Sequence, residues 1–174
     1  MSNHITHTQR RVGTLAVALV GLTLGLGTAA RSEERAATMT HVTGSFDVKV
    51  SPLTDDGGNA FGRMALDKKY HGELEAAAVG QMLSSRSETG GAYVALERVT
   101  GTLQGRSGTF ELVHRGEMTS SSQTIEIWVV TGSGTGQLAG ISGRMGIRIE
   151  AGGKHFYDFD YELPAAAGVA TTKP

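Results

Sequence analysis

Tyr157-Asp158-Phe159-Asp160-Tyr161-Glu162-Leu163 puts an aromatic or aliphatic residue at every odd position and a carboxylate at every even one. A β-strand turns successive side chains to opposite faces, so a period of two describes a strand with one buried and one wetted face. The same alternation occurs near the other end of the segment, where Phe46, Val48 and Val50 interleave with Ser45, Asp47 and Lys49. Between them lie strand candidates at 61–70, 72–83, 91–100, 109–118, 124–131 and 144–151, separated by Gly-, Asp- or Ser-rich turns. The run Ala76-Ala77-Ala78 could open a helix, but Gly72 and Gly80 bracket it too closely. Eight short strands must hide their edges, and closure into a barrel does so completely. The expected fold is all-β: a single eight-stranded antiparallel β-barrel over 39–164, with a sandwich as the competing architecture. A barrel of this size is either filled by side chains or holds one small ligand.

Composition narrows the function classes. Sixteen Lys and Arg against 17 Asp and Glu leave a net charge of −1, which argues against a phosphate backbone as partner. Aromatics at 6% supply few stacking platforms for bases. With no cysteine, disulfides, thiolate catalysis and cysteine metal sites are excluded. The 25 glycines follow no collagen period and sit between the alternating runs, as tight turns require.

Residues 1–38 have a different character. Arg10 and Arg11 precede a charge-free run from Val12 to Gly27, and Thr28-Ala29-Ala30 follows. A basic start, an apolar centre and small residues at the end are the three parts of a secretory signal. The run of 16 is short for a bilayer span, which needs ~20 apolar residues. We therefore expect a signal peptide over 1–30, a linker over 31–38, no stable membrane span in the mature protein, and a secreted or periplasmic address. One alternative is an uncleaved membrane anchor; the other is translation from Met39, which makes 1–38 a mis-annotated extension and the protein cytoplasmic. After Pro164, residues 165–174 have no periodic pattern and read as a disordered tail.

The hairpin around Gly105 gives the sharpest chemical inference. If Gly105-Arg106 is a two-residue loop, glycine in its first position suits a type II′ turn. Glu97 then faces His114, Val99 faces Leu112, Tyr93 faces Met118 and Gly101 faces Phe110. The opposite face carries Arg98, Thr100, Thr102, Glu111, Arg115 and Glu117, so the first face should line the interior. Glu97 and His114 are its polar exceptions, and two ionisable groups in an interior must satisfy one another or meet water. An imidazole beside a carboxylate can hold a proton near neutral pH, which equips the pair for general acid–base work. It can equally be a hydrogen-bonded core pair with no chemistry. A loop longer by one residue would abolish the direct opposition.

Tyr93, Leu112 and Met118 share that inner face and are expected to line a ligand site, together with Tyr70, Tyr157 and Trp128. Aromatic packing is the competing role for the tyrosines, and Trp128 alternates with Ile127 and Val129, so its side is ambiguous. Tyr161 and His155 are weaker candidates. The six histidines (His4, His7, His41, His71, His114 and His155) have no zinc-like spacing, so no metal is expected, and no cofactor. Gly132-Ser133-Gly134-Thr135-Gly136 lacks the βαβ unit of a dinucleotide fingerprint and the strand-to-helix elbow of a serine nucleophile. Gly101–Gly108 and Gly136–Gly143 share five of eight residues, which suggests two similar hairpin corners or simply abundant glycine.

Three stretches resemble a known family. Met39-Thr-His-Val-Thr-Gly-Ser-Phe-Asp-Val-Lys49, Leu96-Glu-Arg-Val-Thr-Gly-Thr-Leu-Gln-Gly-Arg-Ser-Gly-Thr-Phe110 and Gly132-Ser-Gly-Thr-Gly-Gln-Leu-Ala-Gly140 are similar to the bacterial family called domain of unknown function 3224, across about 39–163. The resemblance implies a barrel like that of allene oxide cyclases, within the calycin-like barrels. The stretch at 132–140 also resembles a turn in allene oxide cyclases and dirigent proteins, which bind apolar molecules and guide cyclisation or coupling. The family has no settled activity, and its members usually start near this chain's Met39.

Three functions follow as expectations. The first is a barrel that binds a small apolar molecule. The second is a cofactor-free isomerase or cyclase that uses Glu97 and His114. The third is a solid structural barrel. Assembly into a homo-oligomer stays open until the fold shows which apolar side chains face outward.

Overall fold

The computed structural model describes residues 38–54 and 61–164. The expected signal segment, the tail and all of the linker except Thr38 lie outside the described residues. Eight strands are present: β1 (Thr40–Pro52), β2 (Gly62–Gly72), β3 (Leu74–Arg86), β4 (Gly90–Leu103), β5 (Arg106–Thr119), β6 (Gln123–Val129), β7 (Ser142–Ile149) and β8 (His155–Glu162). Each pairs antiparallel with the next, and β8 returns to β1, so one sheet closes on itself in chain order. The alternation in the sequence becomes the two sides of the wall. In β8, Tyr157, Phe159 and Tyr161 are buried while Asp160 is exposed. No helix of the described residues is long and apolar enough to cross a membrane.

The interior is rich in aromatics. Tyr70, Phe110, Tyr157, Phe159 and Tyr161 are among its largest fully buried side chains, with Phe159 stacked on Phe110 at 5.8 Å and tilted against Tyr161 at 5.4 Å. The β6–β7 connection turns back over one end of the barrel, where Leu138 and Ile141 are buried beneath it. Hydrogen bonds from Ser107 N to Gln137 Oε1 (2.8 Å) and from Thr135 N to Thr109 O (2.8 Å) hold it against β5. Gly108 permits this approach, since a Cβ there would lie 2.2 Å from Thr135 O. The two glycine-rich octets are therefore not two similar corners. The first forms a hairpin; the second begins as a single 3-10 turn, Gly136–Leu138, that leads into β7.

The β4–β5 hairpin differs from the expected register by two residues. Leu103 pairs with Arg106, so the loop is Gln104-Gly105, with φ of 47° and 78° at the two positions. Both lie in the left-handed region, the signature of a type I′ turn. Gln104 is the only non-glycine residue with positive φ among the described residues. Its side chain accepts from Tyr161 Oη (2.8 Å) and donates to Glu73 Oε1 (2.9 Å), and its N–H donates to Glu73 O (2.8 Å). These bonds offset the backbone strain. At Gly105 a Cβ would meet nothing within 4 Å, so only backbone conformation opposes a side chain. Gly105→Ala is expected to lower stability by about 1–2 kcal/mol, read as a shift in the urea midpoint at unchanged slope.

Candidate functional site

In the true register Glu97 opposes Leu112, and His114 opposes Ala95. The expected direct opposition of Glu97 and His114 is therefore wrong, as are the pairings of Val99 with Leu112, Tyr93 with Met118 and Gly101 with Phe110. Val99 faces Phe110, Tyr93 faces Gly116, and Gly101 faces Gly108. A shift of two residues preserves the face, however. Glu97 and His114 become diagonal neighbours on the inner wall, a spacing that long side chains can bridge. His114 Nε2 lies 3.2 Å from Glu97 Oε2, and the two residues are 4% and 1% exposed.

Two further side chains complete the cluster. Tyr70 donates from its hydroxyl to Glu97 Oε1 at 2.6 Å, and Lys68 Nζ lies 2.5 Å from Glu97 Oε2. Lys68 Nζ also sits 3.4 Å from the Tyr70 hydroxyl and 5.1 Å from the centre of the Phe46 ring. Lysine is rarely buried unless paired, and here the ammonium is held by a carboxylate and an aromatic face. Lys68 was not among the sequence candidates. Its signal was present: it occupies an inward slot of β2 between Leu66 and Tyr70, all three buried.

The small residues of β3 make this convergence geometrically feasible. Lys68 and Tyr70 belong to β2 and Glu97 to β4, so their side chains must cross the inner face of β3. That face presents Ala76, Ala78 and Gly80 in succession, with Gly80 directly between Leu66 and Glu97 in register. The alanine run that could have opened a helix instead clears the floor over which the cluster assembles.

Electrostatics follow from this packing. Burial by itself would raise the Glu97 pKa, but His114 and the Lys68 ammonium together outweigh it and hold the carboxyl at about 2, below its ordinary 4.5. Burial and the Glu97 charge push the Tyr70 phenol well above its ordinary value, so it stays a donor. The contacts at Glu97 Oε2 are contacts of charge and distance: neither Oε2 nor His114 Nε2 makes a well-directed hydrogen bond within the protein. Buried polar atoms are normally satisfied; these two are held by charge instead, His114 Nε2 against Oε2 at 3.2 Å and Oε2 against the Lys68 ammonium.

The other expected site residues are dispersed. Leu112 is buried beside Glu97 on the inner wall. Tyr93 lies half-buried with its ring over Gly116, where a Cβ would be 2.0 Å from Tyr93 Cε1. Met118 is part-buried farther along the same inner face. Tyr157 is fully buried, but its hydroxyl serves the β2–β3 corner, accepting from Leu74 N at 3.0 Å and donating to His71 O at 3.3 Å. Trp128 faces outward, between inward-facing Ile127 and Val129, and pairs with Val113 on the outer wall. Beyond the cluster toward one rim, Met64 and Met82 face each other across β2 and β3, both part-buried on the inner side.

Comparison with known proteins gives a family and a fold. The family model described as "Protein of unknown function (DUF3224)" matches residues 42–161. A crystal structure of a protein with unknown function from this family, from Shewanella oneidensis MR-1, is similar at 45% sequence identity and a TM-score of 0.66, covering 73% of this chain and 100% of that one. No curated protein matches.

Proposed function

The chain belongs to the DUF3224 family, whose description assigns no activity, and from the barrel itself we propose that it binds a small, largely apolar molecule in its interior. The observation that carries this reading is the convergence of Lys68, Tyr70, Glu97 and His114 inside an otherwise apolar wall. A few convergent polar groups among hydrophobic neighbours are the usual make-up of a small-molecule site. The cluster offers a ligand an ammonium, an imidazole nitrogen and a carboxylate oxygen, the last two lacking well-directed bonds within the protein. Methionines on the same inner side, Met64, Met82 and Met118, adapt their shape to an apolar guest.

A second reading rests on the 3.2 Å approach of His114 to Glu97. An imidazole and a carboxylate at that distance can pass a proton to and from a bound molecule, which supports a cofactor-free isomerase or cyclase. We also place the folded barrel outside the cytoplasm, secreted or periplasmic, on the signal-like pattern of residues 1–30; a start at Met39 is the cytoplasmic alternative.

Native mass spectrometry of the full chain from its own cells tests these readings together. We expect a mass excess that disappears on denaturation, and a polypeptide lacking about its first 30 residues. A ligand-free chain, together with failure of a panel of apolar compounds to raise its melting temperature, would leave the solid barrel. Glu97→Gln and His114→Gln then separate carrier from enzyme. Turnover lost with binding kept marks the enzyme; no conversion of the released compound by the wild type, with binding weakened in the variants, marks the carrier.

A further inference from the structure

The outer wall of β3, β4 and β5 carries an apolar face. Val79, Leu83, Val94 and Leu96 are 64%, 41%, 54% and 58% exposed. Leu83 opposes Val94, Leu96 opposes Val113, and Val113 opposes Trp128, while Val79 is diagonal to Leu96. A shallow groove of about 390 Å³ runs between Leu83, Val94, Leu96 and Val113. Scattered exposed aliphatics need no explanation, but four set side by side on β3 and β4, continued by part-buried Val113 and Trp128 on β5 and β6, mark an interaction surface.

We infer that this face packs against the same face of a second copy of the chain. Two observations select that occupant. The first is charge. The patch is bordered by Arg98 and Glu111, paired at 2.7 Å, and by Arg115, which pairs with Glu117 at 2.7 Å and with Glu126 at 3.2 Å. Both signs alternate along this border. An anionic membrane or a nucleic acid would meet as much repulsion as attraction there, whereas a copy related by a two-fold axis presents each sign to its opposite. The second is area. Strands of 13, 14 and 14 residues at ~3.3 Å rise and ~4.8 Å spacing make a face on the order of 700 Å². A stable interface covers about 800 Å² on each partner, so this wall supplies nearly all the area with an apolar centre and a polar border.

Sedimentation equilibrium of the full chain, over a dilution series, tests this. The expected result is twice the monomer mass, falling toward the monomer on dilution. Leu96→Arg and, separately, Val94→Lys should weaken association at least about tenfold while the melting temperature extrapolated to infinite dilution stays that of the wild type. A monomeric mass at every concentration would overturn the inference, as would a dimer that both variants leave intact. A monomer that co-sediments with phosphatidylcholine vesicles would also overturn it, assigning the face to a lipid surface.

Discussion

Glu97→Ala is expected to destabilise the barrel by about 3–5 kcal/mol, the usual loss when one partner of a buried ion pair is removed. The magnitude follows from what the substitution leaves behind. Lys68, 7% exposed, loses its counter-charge at 2.5 Å, and the Tyr70 hydroxyl loses its 2.6 Å acceptor. An ammonium in an apolar interior without a partner is far costlier than the pair, because the desolvation remains and the attraction does not. Urea unfolding measures the difference. The double variant Lys68→Met/Glu97→Leu removes both charges and should recover most of the loss, since buried pairs exchanged for apolar residues are often neutral. A loss under about 1 kcal/mol for Glu97→Ala, the worth of an exposed pair, would show that Lys68 reaches solvent and that the cluster is not buried as described.

The second large effect is acid sensitivity. Glu97 keeps its charge in the folded barrel down to about pH 2, whereas its ordinary value is 4.5. Between those values the unfolded chain binds a proton that the folded chain does not. Stability from this group is therefore complete above about 4.5 and is lost as pH falls toward about 2, in total on the order of 3 kcal/mol. Urea midpoints measured at about pH 6 and about pH 3 should differ more in the wild type than in Lys68→Met/Glu97→Leu, whose acid limb lacks this contribution. Equal pH dependence in the two proteins would place the carboxyl's protonation elsewhere and remove the claim that Lys68 and His114 hold it ionised.

Much of the architecture was legible because alternation is a local signal. The period of two in Phe46–Val50 and Tyr157–Leu163 requires no knowledge of partners, and glycine-rich turns set the strand count. What could not be read was pairing. The β4–β5 register depends on which two residues turn the corner, and Gln104 in the left-handed region is an uncommon choice. It is tolerated because Glu73 and Tyr161, far away in sequence, hold its side chain. The inward direction of Glu97 and His114 survived that error because parity, and not opposition, decides the face. Lys68 escaped notice for a related reason: a lysine among Asp67 and Lys69 looks solvated until its strand parity is compared with Leu66 and Tyr70. Trp128 was ambiguous since apolar residues occupy both sides of β6.

One junction of the closed ring is much weaker than the rest. β6 and β7 share a single ladder pair, Trp128 with Arg144, while neighbouring junctions carry seven or more. A groove of about 820 Å³ opens beside it, between Trp128, Arg144, Ser142 and Glu162. A hoop yields at its thinnest weld, so thermal breathing of the wall should begin there while the long hairpins of β2 to β5 hold their shape. For the interior ligand proposed above, that seam would be a slit in the side of the wall, and strands β6 and β7 would set how quickly it comes and goes.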